Sequence, residues 1–193
     1  MSDSEFITLA AGSVSPIVRG IDESQLTAPT PCTEYDVRAL LNHLLFWGPS
    51  LVGAGHKDPV PPPAEDEADV DLTGGDWAKA VERNLEGLVG AWSRPEAWEG
   101  TTRMVSPDGV PASMIGGMVL SELVVHGWDL ARASGQVPVW NDALLNRVYA
   151  ELTEMASMGR EMGAYGPEVP VAESAPTLDR IVALTGRDPS WKP

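Results

Sequence analysis

Glu122, His126 and Asp129 stand at i, i+4 and i+7 in the run SELVVHGWDLARA. On a helix advancing about 100° per residue, that spacing stacks three chemically active side chains along one stripe. Ile115, Met118 and Ala133 fall on the same stripe, so it reads as interior and apolar, with an acid and an imidazole set into it. A carboxylate withdrawn from water loses solvation that only a counter-charge or a metal restores. The chemistry this stripe asks for is cation binding, and a divalent metal ion is the natural candidate.

A metal site needs a further ligand from another segment, and the remaining histidines are His43 and His56. His43 lies inside VRALLNHLLFW with Ala39, Leu40, Phe46 and Trp47 on its own face, where a polar ring must find a partner. His56 follows a glycine-rich helix end and precedes Lys57 and a proline-rich stretch, which suits solvent. At about 1.5 Å of rise per residue, an unbroken helix separates the two histidines by roughly 20 Å. The same rise sets Cys32 roughly 16 Å from His43, so neither joins His43 on one ion. The expected set is therefore His43, Glu122 and His126, a two-histidine, one-carboxylate arrangement with open positions for water or substrate. Zinc fits these ligands best, while nickel, iron, cobalt and manganese bind the same atoms. Asp129, one turn beyond His126, is the candidate catalytic group: it orients the imidazole or accepts a proton from a metal-bound water or thiol.

The elements that must position these groups are helices. Alternating strand patterns are scarce, whereas caps and 3.6-residue periodicity recur along the chain. A first helix is predicted from about Ser4 to Ile21. A second starts at Thr33, with Asp36 completing a capping-box-like pair, and runs to about Ala54 with Pro49 kinking or ending its regular part. KDPVPPPAEDEADVDLTGG reads as a long loop, and its acidic run at 63–71 as a solvated face with no assigned chemistry. Asp76 caps a third helix that ends before Pro95. Residues 98–111, with the turn Pro-Asp-Gly, suit a small hairpin or an extended crossover. Pro111 opens a fourth helix closed by Gly135, Asn141 caps a fifth through about Met162, and TLDRIVALTG forms a short sixth. The expected architecture is all-α: a four-helix bundle with a long connection between helices two and three and a short C-terminal helical appendage, as one domain over 1–193.

Composition narrows the partners. The chain has 193 residues, 43% hydrophobic and 21% charged, enough to bury a sizeable core. A net charge of −15 repels phosphate backbones and anionic lipid surfaces, so neither nucleic acid nor membrane is an expected partner. No run of roughly 18 apolar residues is present and the N-terminus lacks a signal-peptide pattern, so a cytoplasmic location is expected. The single cysteine, Cys32, excludes an intrachain disulfide and a CxxC site. It lies just before a helix start, where a dipole activates a thiol, but reads better as a small buried residue. Leu120, Val124 and Ala131 make the fourth helix apolar on its far side as well, and a homodimer is one way to bury both faces.

The motifs PCTEYDVRALLNHL, SELVVHGWDLARASG and TLDRIVALTGRDPSW resemble actinobacterial members of the DinB/YfiT-like superfamily. The group they resemble most is the metal-binding proteins related to the N-terminal domain of mycothiol-dependent maleylpyruvate isomerase. The resemblance spans nearly the whole chain. It implies the four-helix bundle, and it implies that a second-helix histidine and an E-x-x-x-H pair bind a divalent metal, at His43, Glu122 and His126 here. The aspartate three residues after the second histidine matches at Asp129. The isomerase has an additional C-terminal domain that helps form its thiol and substrate site, and a comparable domain is not expected in this chain, so the specific activity does not carry over.

Three readings follow. The first is a metal-dependent transferase or isomerase in which the ion activates a low-molecular-weight thiol such as mycothiol towards a small-molecule substrate. Trp47 and Trp128 are candidate pocket walls for it. The second is a noncatalytic metal-binding or small-molecule-sensing protein. The third is a metal-dependent hydrolase acting through activated water.

Overall fold

The computed structural model describes residues 1–105 and 108–193. Among the described residues six α-helices follow in order: α1 (Asp3–Arg19), α2 (Val37–His56), α3 (Trp77–Trp92), α4 (Ala112–Ala133), α5 (Asp142–Glu161) and α6 (Thr177–Leu184). A two-strand antiparallel ribbon, β1 (Thr101–Thr102) and β2 (Val110–Pro111), pairs Thr101 with Pro111 and Thr102 with Val110. The hairpin expected at 98–111 is thus present in its shortest form. Its Pro-Asp-Gly turn lies partly outside the described residues.

α1 packs on α3 and α4, and α2 packs on the same two, so α1 and α2 occupy one diagonal of a four-helix bundle and α3 and α4 the other. α5 lies against α4 and carries α6. The interior is filled by Ile7, Val14, Leu40, Leu41, Phe46, Trp92, Leu120 and Leu144, each under 2% exposed. Each such side chain contributes about 1.5–3 kcal/mol through its removal from water. Trp92 and Trp98 meet edge to face at 5.4 Å, and their indole N–H groups donate to Leu51 O at 2.9 Å and Trp92 O at 2.8 Å. These buried rings leave no donor unpaired.

α2 begins four residues later than the pattern suggests. Asp36 is itself the cap, accepting from Ala39 N at 2.8 Å. The preceding residues are held as a loop: Thr30 Oγ1 donates to Cys32 O and Tyr35 O, and Pro29 bridges Asp36. A carboxylate in the cap position satisfies the free N–H groups of the first turn better than a threonine hydroxyl further upstream in an already occupied loop. Pro49 neither ends the helix nor interrupts it, and α2 runs on to a left-handed cap at Lys57 (φ 60°). The other starts fall as expected, with Asp76 and Asn141 capping α3 and α5 through their side chains.

α4 is buried along nearly its entire length, on the stripe (Ile115, His126, Asp129, Ala133) and on the far side (Leu120, Val124, Ala131). α1, α2 and α5 of the same chain supply these contacts, so this burial needs no second copy. No helix among the described residues is long and apolar enough to cross a membrane.

Candidate metal centre

α2 and α4 meet across the bundle and bring His43 against Glu122 and His126. His43 Nε2 lies 3.4 Å from Glu122 Oε2, and His126 Nε2 lies 3.3 Å from the same oxygen. One donor atom from each of the three residues lies within 4.8 Å of the others. The two rings are 5.2 Å apart, edge to face. The cluster is sheltered, with side-chain exposures of 16% for His43, 24% for Glu122 and 9% for His126.

The Nδ1 atoms explain why the Nε2 atoms converge. His43 Nδ1 lies 2.9 Å from Glu67 Oε2, and His126 Nδ1 lies 3.0 Å from Asp129 Oδ2. A carboxylate only accepts, so each Nδ1 carries the proton and donates it. Both Nε2 atoms are then left pointing at a third carboxylate, an arrangement that needs a positive charge between the donors. A proton on one ring or a metal ion can supply it. Carboxylate-bound imidazoles are the usual outer sphere of metal-ligating histidines. Nitrogen and oxygen ligands about 2.05 Å from a tetrahedral ion lie roughly 3.3 Å apart, which matches the two short edges here. The donor set and its spacing fit a divalent ion.

Electrostatics tell the same story. Burial opposes charge on Glu122, but the His126 charge and the contacts with both imidazoles outweigh it and hold the carboxyl well below its usual range. Burial likewise opposes charge on His126, yet Glu122 first and Asp129 next push its pKa up to about 9. Without an ion, His126 takes the positive charge itself.

Three residues of this centre escape a reading of the sequence alone. Glu67 sits in a 3-10 turn (Glu67–Asp69) within the acidic loop that looked merely solvated. It accepts from His43, from Trp47 Nε1 at 3.2 Å and from the Tyr35 hydroxyl. Asn42 fastens that loop, donating to Glu67 O at 3.1 Å and Val70 O at 3.0 Å and accepting from Leu72 N at 2.7 Å. Arg187, after α6, donates through Nη2 to Asp129 Oδ2 at 3.2 Å and through Nη1 to Thr185 O at 2.8 Å. Glu67 carries no spacing signal, whereas Tyr35 and Asn42 lie within the family-like motif PCTEYDVRALLNHL and Arg187 within the closing one.

The other candidates are placed more simply. Trp47 lines a hollow of about 30 Å³ beside His43 and Glu122, walled by Leu44, Leu51, Leu85 and Leu88. Trp128 is buried away from it, with the Arg132 guanidinium 5.8 Å from its ring centre. His56 is exposed and accepts from Arg94 at 3.0 Å. Cys32 stays outside the cluster, but not for the helical-rise reason, since α2 starts only at Val37. It lines a separate hollow with Arg187 and Tyr165, and burial raises its thiol pKa although Arg187 pulls the other way.

This architecture and centre define a DinB-like helical bundle. Residues 8–131 match the Mycothiol maleylpyruvate isomerase N-terminal domain, and the chain belongs to that family. It is 26% identical over 180 residues to two Mycobacterium tuberculosis proteins, "Uncharacterized protein MT0763" and "Uncharacterized protein Rv0738", covering 92% of this chain and 93% of each of them. Its fold is similar to the crystal structure of the mycothiol-dependent maleylpyruvate isomerase, with a TM-score of 0.57 and 18% identity, over 82% of this chain and 73% of that one. A histidine-to-alanine variant of that enzyme superposes over the same shares at a TM-score of 0.58.

Proposed function

We propose that this protein binds a divalent metal ion, zinc being the expected one, through His43, Glu122 and His126, and acts as a thiol-dependent transferase or isomerase with a mycothiol-type cosubstrate. The observation that carries the reading is the paired outer sphere: Glu67 and Asp129 hold both Nδ1 protons and aim both Nε2 atoms at Glu122. The family and the mycothiol-dependent isomerase of like fold support the thiol. A divalent ion, when bound, supplies a Lewis acid that lowers the pKa of a thiol or a water.

The chain's own groups divide the remaining work. Glu67 and Asp129 fix the tautomer and tilt of the rings. Asp129 is 0% exposed and its charge is met by Arg187, so it acts on protons through His126 rather than directly. Leu44, Leu51, Leu85 and Leu88 keep the hollow beside His43 and Glu122 apolar, and at about 30 Å³ it admits a group the size of one water or one thiol sulfur. The bulk of any substrate must lie outside it.

Metal analysis of protein purified without a histidine tag is the first test, and about one equivalent of divalent ion per chain is expected. His126→Ala should lose the ion while keeping its helical circular dichroism. Conjugation of mycothiol to 1-chloro-2,4-dinitrobenzene should proceed with the loaded protein and not with the variant. A loaded protein inert towards thiols would overturn the catalytic part and leave the noncatalytic binding reading.

A further inference from the structure

The chain holds seven methionines, and none belongs to the buried core. Five of them, Met114 and Met118 on α4 and Met155, Met158 and Met162 on or capping α5, line a single cavity between those two helices. Thioethers are flexible and polarisable, and they serve both to fill irregular gaps and to line surfaces that adapt to a ligand. The cavity measures about 120 Å³, four times the hollow at the imidazole cluster, and it opens to solvent where Met158 and Met162 are exposed. An apolar cavity of about 150 Å³ admits benzene, so a single ring or a short branched chain is the right size.

Tyr165 lines this cavity and the neighbouring Cys32–Arg187 hollow, and its position is built in. Its ring lies against Gly159 of α5, where any Cβ would overlap the ring carbons, and its backbone N–H donates to Gly159 O at 3.3 Å. Of the other polar side chains of the lining, Ser121 donates to Gly117 O at 3.0 Å, and Glu151 accepts through Oε2 from Arg147 at 2.7 Å. The Tyr165 hydroxyl makes no hydrogen bond to another described residue. Burial, and after it the Glu122 carboxylate, push its pKa up to about 12, so it is a donor at neutral pH.

We propose that this methionine-lined cavity binds a small apolar or aromatic molecule carrying one hydrogen-bond acceptor, with its body on the thioethers and its acceptor on the Tyr165 hydroxyl. The inference goes beyond the metal reading and does not rest on it.

Two matched probes test it on the full chain labelled with [13C-methyl]methionine: benzaldehyde, which has a carbonyl acceptor, and toluene, which has none. Saturable shifts are expected at the five cavity methionines and not at Met104, with benzaldehyde binding about fivefold more tightly. Tyr165→Phe should bring that ratio close to one while leaving toluene binding intact. Met118→Trp, or Met155→Trp from the opposite wall, should abolish binding of both. His126→Ala should bind both as the parent does, and loss of binding there would put the probe at the imidazole cluster and overturn the proposal. Absence of saturable shifts, equal response at Met104, an unchanged probe ratio in Tyr165→Phe, or binding that survives both tryptophan variants would each overturn it as well.

Discussion

Arg187 and Asp129, 58 residues apart, are joined at 3.2 Å through Asp129 Oδ2, the same oxygen that faces His126 Nδ1 at 3.0 Å. Arg187 is 5% exposed and Asp129 0%, so the pair is interior and the imidazole is coupled through it to the C-terminal segment. Arg187→Met removes the charge but keeps most of the volume, leaving a buried carboxylate without its cation. Breaking a buried pair from one side costs about 3–5 kcal/mol. Arg187→Met should therefore lower the urea midpoint clearly, and metal affinity should fall about tenfold as His126 loses its fixed tilt. Wild-type midpoint and affinity would show that Asp129 is held by something other than this guanidinium.

Glu67 makes the corresponding contact on the other ring, from an exposed loop instead of a packed helix. Glu67→Gln keeps the size but turns an obligate acceptor into a group that can also donate towards His43 Nδ1. Zinc affinity, read by competition with a chromophoric chelator, should drop about tenfold. Thermal stability should change little, because Asn42 still anchors the loop through Glu67 O, Val70 O and Leu72 N. A large fall in melting temperature with unchanged affinity would make Glu67 a loop clasp only.

These two carboxylates mark where the sequence stops being informative. The i, i+4, i+7 stripe of Glu122, His126 and Asp129 was legible because one helix carries it and helical geometry is fixed. His43 could be chosen over His56 because apolar neighbours predict an inward face. The caps at Asp76 and Asn141 were visible for the same local reason. Glu67 was invisible, since nothing local distinguishes it from Glu65, Asp66 or Asp69 in the same acidic run, and only the path of the loop over α2 selects it. The start expected for α2 at Thr33 gives way to Asp36 because two cap-competent residues stand three apart, and the local loop contacts of Thr30 with Tyr35 and Pro29 with Asp36, which no sequence pattern displays, decide between them.

The metal-free protein should show a pH window set by the pair at the centre. His126 has its folded pKa raised from 6.5 to about 9, so its contribution is fully present below pH 6.5 and is lost as pH rises through about 9. Glu122 has its folded pKa lowered from 4.5, so its contribution is present above pH 4.5 and is lost as pH falls further. Melting temperatures of the apo form should be highest between these limits. Metal uptake displaces the His126 proton, so calorimetry in two buffers of different ionisation enthalpy at pH 7 should report release of about one proton per ion. Uptake without proton release would mean that His126 is already neutral.

Cys32 offers a last check on the surroundings of the centre. It is half-buried against the hollow that Arg187 and Tyr165 share, and burial raises its thiol pKa despite the nearby guanidinium. The thiolate is the species that alkylates. Iodoacetamide at pH 7.5 should therefore modify the folded protein about tenfold more slowly than the urea-unfolded chain. Arg187→Met removes the charge that favours the thiolate, and should slow the folded reaction further wherever the fold persists. Faster alkylation in that variant, with helicity retained, would show instead that Arg187 shields Cys32 from the reagent.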